Sequence, residues 1–414
     1  MQKGSLNETP ISSRLHIAIF GRRNAGKSSL INAITNQDIA LVSPVAGTTT
    51  DPVFKAMELL PIGPVVIIDT AGIDDEGELG ELRVKKTYQV LNKTDLAVLI
   101  IDGMTGVTDY DLEILGRIRE KNIPVVGVVN KCDVAGYTPE DKKNWEKRLN
   151  IKLIEVSALK RQGIEELKRE IINKAPSSIS EYPLIGDLIS PGDIVVLVVP
   201  IDKAAPKGRL ILPQQQTIRD VLDHNAIAVV TKETELKNTL SSLARKPRIV
   251  VTDSQAFARV AQDTPRDIPM TSFSILFARY KGDLAQLVEG VKAIKNLKPG
   301  DKVLIAEACT HHRQEDDIGT VKIPRWLRQI LGFDVQFEWS SGFGFPENLE
   351  DFKLVIHCGG CMINRKEMLY RLSLLKQKGI PVVNYGVFIA YALGILERAL
   401  EPIPEAASLF SSES

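Results

Sequence analysis

A chain of 414 residues is too long for one hydrophobic core, so two or three domains are expected. Lys plus Arg and Asp plus Glu each total 52, and the resulting zero formal charge argues against a nucleic-acid binder that relies on a strongly basic surface. The N-terminal MQKGSLNETP lacks the apolar stretch of a signal peptide, and no run approaches the roughly 18 apolar residues of a membrane span. Four cysteines, at 132, 309, 358 and 361, do not make a disulfide framework in so long a chain, so a cytoplasmic protein with reduced thiols and no membrane partner is expected.

From Leu15 to about Ala175 the β-rich runs LHIAIF, PVVIID, LAVLIID, IPVVGVVN and KLIEVS alternate with helical patterns, as in a parallel sheet covered by helices. The first run opens onto Gly21-Arg22-Arg23-Asn24-Ala25-Gly26-Lys27-Ser28, a full GxxxxGKS leading through Ser29 into a helical pattern. Glycines let backbone N–H groups wrap phosphates at a helix N-terminus, Lys27 reaches the β- and γ-phosphate oxygens, and Ser28 offers its hydroxyl to Mg²⁺. Asp69-Thr70-Ala71-Gly72 ends the next run, where the carboxylate can hold Mg²⁺ through water and the Gly72 N–H can face the γ-phosphate. Asn130-Lys131-Cys132-Asp133 ends IPVVGVVN, and Asp133 there can accept both the N1–H and the exocyclic amine of guanine, a donor pair that adenine lacks. Ser157-Ala158 fits the loop that backs the base. Motifs in this order, each at a strand's C-terminal end, point to GTP and GDP as ligands. A second NKxD string, Asn92–Asp95, precedes a strand instead of following one and is read as a solvated turn; Cys132 fills a variable position and is not taken as a ligand. Ile73 stands where many GTPases carry a water-orienting glutamine, so slow turnover is expected. One of Asp74, Asp75, Glu76 and Glu78 could position the water; the alternative is a solvated acidic loop.

Pro176–Gly192 is rich in Ser, Pro and Gly and reads as a linker. Beyond it, strand candidates DIVVLVVP, GRLIL, AIAVVT and PRIVVTD alternate with helix candidates around Thr217–Asp223 and Glu233–Ala244, a small apolar α/β unit without a catalytic motif and the candidate dimer interface. A third block from about Met270 has strands at KVLIAEA, FDVQFEW, FKLVIH and IPVVNY and a last amphipathic helix near Val387–Leu400. The expected architecture is therefore α/β throughout: a P-loop domain over 1–176, a middle domain over 177–267 and a C-terminal domain over 268–414. Cys309 ends KVLIAEA and His357-Cys358-Gly359-Gly360-Cys361 follows FKLVIH, so three thiols from two strand ends can converge in one crevice. That set suits an iron–sulfur cluster with three thiolates; on residue types alone, a zinc site with a histidine or a redox CxxC pair fits as well.

Two resemblances narrow these readings. Asn24–Leu30 (NAGKSSL), with Ala46-Gly47-Thr48-Thr49-Thr50-Asp51, resembles the potassium-dependent branch of the translation-factor-like GTPases, related to the tRNA-modification GTPases. This implies a K⁺ ion held with the help of Asn24 where other GTPases place an arginine finger. It also implies Thr49 as the switch threonine on Mg²⁺ and γ-phosphate, with Thr48 and Thr50 competing, and Asp75 as the acidic residue on the water; Lys27, Thr49 and Asp75 form the expected catalytic set. Cys309-Thr310-His311 with His357-Cys358-Gly359-Gly360-Cys361 is similar to the CxH…HCxxC signature of the [FeFe]-hydrogenase maturation GTPases, the HydF family, and the similarity spans the chain. It implies a [4Fe–4S] cluster on Cys309, Cys358 and Cys361, with His311 and His357 as ligands or hydrogen-bonding neighbours and His312 less favoured. It further implies a homodimeric scaffold that receives a dinuclear iron precursor built by radical-SAM maturases and delivers it to apo-[FeFe]-hydrogenase. An RNA-modification or ribosome-assembly GTPase is the first rival, against which the zero net charge and the cysteines count; a zinc-stabilised binding module is the second.

Overall fold

The computed structural model describes residues 9–35, 52–72, 78–134, 136–176, 183–200, 210–308, 317–342, 345–346 and 348–411. The chain divides into two compact units, Met1–Ile179 and Ser180–Ser414.

The first unit is built on a six-stranded sheet of β1 (Leu15–Gly21), β2 (Val53–Leu59), β3 (Gly63–Asp69), β4 (Leu96–Asp102), β5 (Val125–Asn130) and β6 (Leu153–Glu155), in the order β2-β3-β1-β4-β5-β6. All neighbours pair in parallel except β2, which runs antiparallel to β3. The continuous apolar runs of β1 and β4 are what a strand covered on both faces needs. Alternation divides them: Leu15, Ile17 and Ile19 pack with Leu30, Ile31 and Leu167, while Ala18 and Phe20 pack with Ile114 and Ile118. The edge strand β2, mostly exposed and interrupted by Lys55 and Glu58, has no apolar run to announce it.

The Asn92–Asp95 turn differs from its reading as solvated. Lys93 and Thr94 are buried, and Asp95 both accepts the His16 N–H on Oδ2 at 2.8 Å and donates its own N–H to the His16 carbonyl at 2.9 Å. The aspartate thus fastens β1 to β4 at the end of the sheet remote from the nucleotide motifs.

The second unit contains two parallel four-stranded sheets. One comprises β7 (Ile194–Val198), β8 (Ile227–Thr231), β9 (Ile249–Thr252) and β10 (Met270–Ser272) in the order β10-β9-β7-β8; the other comprises β11 (Lys302–Glu307), β12 (Gln336–Ser341), β13 (Phe352–His357) and β14 (Val382–Asn384) in the order β12-β11-β13-β14. The helix Phe273–Lys281 serves both: Phe273, Leu276 and Phe277 pack with Ile185, Leu197 and Ile249, whereas Ile275 and Ala278 join a core with Ile305, Ile356 and Val387. A division at 267/268 therefore falls just before a helix that the two sheets share.

Three local expectations are corrected. In the linker reading of Pro176–Gly192, residues 177–182 lie outside the described residues, but Leu184, Ile185 and Ile189 are buried in the core of the middle sheet. Of GRLIL, Gly208 and Arg209 lie outside the described residues and the remainder forms no strand: Leu212 begins the helix Leu212–Asp223, and Pro213 in its first turn favours a helix start, where a missing N–H costs nothing. The single helix near Val387–Leu400 is two, Tyr385–Ala392 and Leu396–Leu400, parted at Gly394 in a left-handed conformation (φ +67°). No helix among the described residues is long and apolar enough to cross a membrane.

Gly290 in the helix Leu284–Lys292 lies against β14 so closely that a β-carbon would overlap the Val382 carbonyl. Backbone on both sides cannot yield cheaply, so Gly290→Ala is expected to destabilise the second unit by about 1–3 kcal/mol. Urea unfolding followed by the fluorescence of Trp326 and Trp339 measures it; an unchanged midpoint would contradict this packing.

Candidate functional site

The phosphate-binding loop leaves β1 at Gly21 and enters the helix Lys27–Thr35, with Asn24 and Gly26 at φ +60° and +89°. Gly26 is sterically required, because a β-carbon there would overlap the Asn130 amide. Lys27 is 8% exposed and donates from Nζ to the Gly21 and Arg22 carbonyls at 3.0 and 2.8 Å, which holds its ammonium at the mouth of the loop. Ser28 Oγ donates to Asp69 Oδ2 at 2.6 Å, and Asp69 Oδ1 is buried with no hydrogen-bond partner. Burial pushes the Asp69 carboxyl up, opposed by the Ser28 hydrogen bond and by the charges of Lys27 and Lys55. An orphaned carboxylate oxygen beside a serine hydroxyl is the hard-oxygen donor set that Mg²⁺ prefers. Gly72 passes against the same loop, and a β-carbon there would lie 2.9 Å from Arg23 N.

Asn130 ties the base-facing loops together. Only 2% exposed, it donates from Nδ2 to the Ala25 carbonyl at 2.9 Å and accepts the Ala158 N–H on Oδ1 at 3.1 Å. Lys131, with φ +64°, pairs with Asp102 at 2.7 Å. Asp133 meets Lys160 Nζ at 3.4 Å, and its hydrogen bond with Ser157 holds its carboxyl below the usual range, leaving an ionised acceptor. Burial pushes the Cys132 thiol up, away from the thiolate a metal would need. Thr48, Thr49, Thr50, Asp75 and the rest of 36–51 and 73–77 lie outside the described residues.

In the second unit, β11 continues to β12 on one side and the chain then crosses to β13 on the other. The C-terminal ends of β11 and β13 thus flank a topological switch point, where open α/β sheets bind ligands. Cys358 prolongs the ladder by donating its N–H to the Ala306 carbonyl at 2.8 Å, and its sulfur receives the N–H groups of Ala308 at 3.1 Å and Gly360 at 3.4 Å. Burial pushes the Cys358 thiol up, and these two donors oppose it. Gly360 takes φ +61°, and a β-carbon there would overlap the Met368 methyl. Cys309, His311 and His312 lie outside the described residues, although Ala308, the neighbour of Cys309, is the residue whose N–H reaches the Cys358 sulfur. Among the described residues no three His, Cys, Asp or Glu side chains are gathered as metal ligands.

His357 is 1% exposed and has both ring nitrogens engaged, Nδ1 at 2.7 Å from the Cys358 carbonyl and Nε2 at 3.2 Å from Arg371 Nη1. The guanidinium can only donate, so Nε2 accepts and Nδ1 carries the proton. Burial, then the Arg371 charge, pushes the imidazole down to about 4. Both ring nitrogens are thus occupied by protein groups in this structure. Arg371, 1% exposed, also donates to Glu367 Oε1 at 3.0 Å and to the Gly342 carbonyl at 2.9 Å. Lys281 donates to carbonyls of the cysteine turn; burial pulls its ammonium down to about 8, and Cys361 and Cys358 oppose the shift. Neither cation carries a sequence motif, so neither was legible as part of the site.

Family models match the chain in three successive segments: a 50S ribosome-binding GTPase over residues 16–131, a hydrogen maturase F dimerization domain over 184–282 and a hydrogen maturase F tetramerization domain over 285–402. The chain is a P-loop GTPase domain followed by two hydrogen maturase F domains. The tRNA modification GTPase MnmE of Aquifex aeolicus is 37% identical over 172 residues, 41% of this chain and 37% of that protein. GTPase Der of Mycoplasmopsis pulmonis is 34% identical over 168 residues, 38% of each chain. The chain thus spans little more than a third of the length of these curated relatives. Among solved structures, the FeoB G-domain from Methanococcus jannaschii is similar with a TM-score of 0.31 and 25% identity, over 39% of this chain and 97% of that one. An Era variant of Aquifex aeolicus bound to GDP and AlF4⁻ has a TM-score of 0.36 and 22% identity, over 52% and 91%.

Replacing Asn130 with alanine removes both of its loop contacts and leaves a buried carbonyl and a buried N–H unsatisfied, at about 1–3 kcal/mol each. GDP affinity is expected to fall about tenfold or more, as read by titration with a fluorescent GDP analogue.

Proposed function

We propose that this chain is a hydrogenase-maturation GTPase of the hydrogen maturase F family: a guanine-nucleotide switch joined to a [4Fe–4S] site, carrying a dinuclear iron precursor as cargo to apo-[FeFe]-hydrogenase. The observation that carries this reading is the succession of a P-loop GTPase domain and two hydrogen maturase F domains, the second of which spans Cys309, Cys358 and Cys361. The likeness to tRNA-modification GTPases covers 41% of this chain and 37% of the relative, so it supports GTP hydrolysis and not a tRNA substrate.

In this reading Gly21, Asn24, Ala25, Gly26, Lys27, Ser28 and Ser29 grip the phosphates, and Gly72 donates its N–H to the γ-phosphate. Ser28, Thr49 and Asp69 hold Mg²⁺, which supplies charge neutralisation between the β- and γ-phosphates. Asn24 helps to hold K⁺, and Asp75 orients the attacking water. Asp133 reads guanine while Asn130, Lys131, Ser157 and Ala158 shape the pocket behind it. Cys309, Cys358 and Cys361 would hold the cluster, whose open iron position offers a place for exchangeable ligation; two N–H groups directed at the Cys358 sulfur suit a thiolate ligand. Nucleotide state acts as a switch on partner binding, with radical-SAM maturases and the apo-hydrogenase as partners. Self-association is supported by the matched dimerization and tetramerization domains and by β8, an edge strand exposing Ile227 and Val230 that a second copy would cover.

Anaerobic reconstitution with iron and sulfide should give a reduced-state paramagnetic resonance signal that disappears in Cys309→Ser, Cys358→Ser and Cys361→Ser; tightly bound zinc without iron would overturn the cluster assignment. Hydrolysis should run about tenfold or more faster in K⁺ than in Na⁺, a difference of some 1.4 kcal/mol in barrier. Asn24→Ala should abolish that difference, and equal rates in the two salts for the native chain would remove the ion from the mechanism.

A further inference from the structure

Lys281 ends the helix Phe273–Lys281 and is 2% exposed. Its ammonium donates to the carbonyls of Gly360 at 3.3 Å, Cys361 at 3.2 Å and Ile363 at 3.0 Å, with the Phe277 ring centroid 5.8 Å away. Three donors meet three acceptors, so its hydrogen bonding is complete. Its charge is not balanced in the same way, because among the described residues Lys281 has no carboxylate partner. Burying an ammonium without a counter-anion is costly, and what lies on the far side of those carbonyls is the turn bearing Cys358 and Cys361. Metal-bound thiolates at that turn would supply the missing counter-charge.

We propose that Lys281 is a positioning residue for the cysteine-held cluster, anchoring the Cys358–Cys361 turn through its three carbonyls and raising the cluster's reduction potential by its positive charge. The proposal rests on the iron–sulfur reading above. A nearby cation favours the reduced, more negative state of a cluster, and net charge and hydrogen bonding near the sulfurs are established levers on such potentials. The helix that carries Lys281 is packed on the middle sheet by Phe273, Leu276 and Phe277, so the anchor is held from outside the C-terminal sheet.

The test uses the full-length chain reconstituted anaerobically. Lys281→Gln keeps a donor without the charge, and Lys281→Arg keeps the charge. In a redox titration followed by paramagnetic resonance, Lys281→Gln should show a lower reduction potential than the native protein, with Lys281→Arg restored towards it. A folded Lys281→Gln protein with the native potential overturns the proposal. Native protein that takes up no iron overturns the cluster reading instead. A second measurement needs neither iron nor a variant: with the turn anchored, the amides of Gly360 and Ile363, which donate to the Cys358 sulfur and the Gly360 carbonyl, should exchange slowly with deuterium in the iron-free native chain. Exchange there as fast as in an unstructured peptide overturns the anchor, even if Lys281→Gln fails to fold.

Discussion

Parallel strand pairing is the constraint on which the rest of this molecule depends. Parallel neighbours need crossover connections, which cover each sheet with helices and bring the strands' C-terminal ends to one edge. Gly21, Asp69 and Asn130 end β1, β3 and β5, so residues more than a hundred positions apart in sequence meet without any long-range motif. The same geometry brings Glu307 and His357 to the ends of β11 and β13 and opens the cysteine crevice between them. The middle sheet has this architecture too, yet at its corresponding edge the hydroxyls of Ser254 and Ser274 are spent on each other at 2.5 Å.

Within the nucleotide unit the polar groups hold one another in the positions a ligand will need. The Asn130 amide joins the phosphate loop to the loop behind the base, and the space it occupies dictates glycine at 26. Lys27 waits on two neutral carbonyls. Exchanging them for phosphate oxygens gives the ammonium anionic acceptors in place of neutral ones, so each bond gains an ion-pair attraction that the carbonyls do not supply. Asp69, raised by burial and left with one empty oxygen, is relieved in the same way by a divalent cation.

What was legible in the sequence followed from how locally it is encoded. The strands that carry motifs are continuous apolar runs ended by polar residues, and both signals lie within ten positions. β2 escaped because an exposed edge strand needs no such run, and the helix start at Leu212 was obscured by GRLIL, whose β-like pattern yields to Pro213. The Asn92–Asp95 string shows the converse. It repeats a functional motif letter for letter, and only its place before β4 reveals that Asp95 serves the sheet and not a base. Arg371 was illegible for a tertiary reason: spaced four residues from Glu367 in a charged helix, it looks like half of a surface ion pair.

The two buried cations near the crevice differ in what neutralises them, and that difference has a consequence for the site. Arg371 is matched by Glu367 at 3.0 Å and helps fix the His357 tautomer, so it forms a closed network that needs nothing from the crevice. Removing it would strand Glu367, a loss of about 3–5 kcal/mol. Among the described residues Lys281 meets carbonyl dipoles and the Phe277 ring but no carboxylate. Its burial is therefore least costly when negative charge collects at Cys358 and Cys361, and by linkage whatever places that charge there must also stabilise the fold around it.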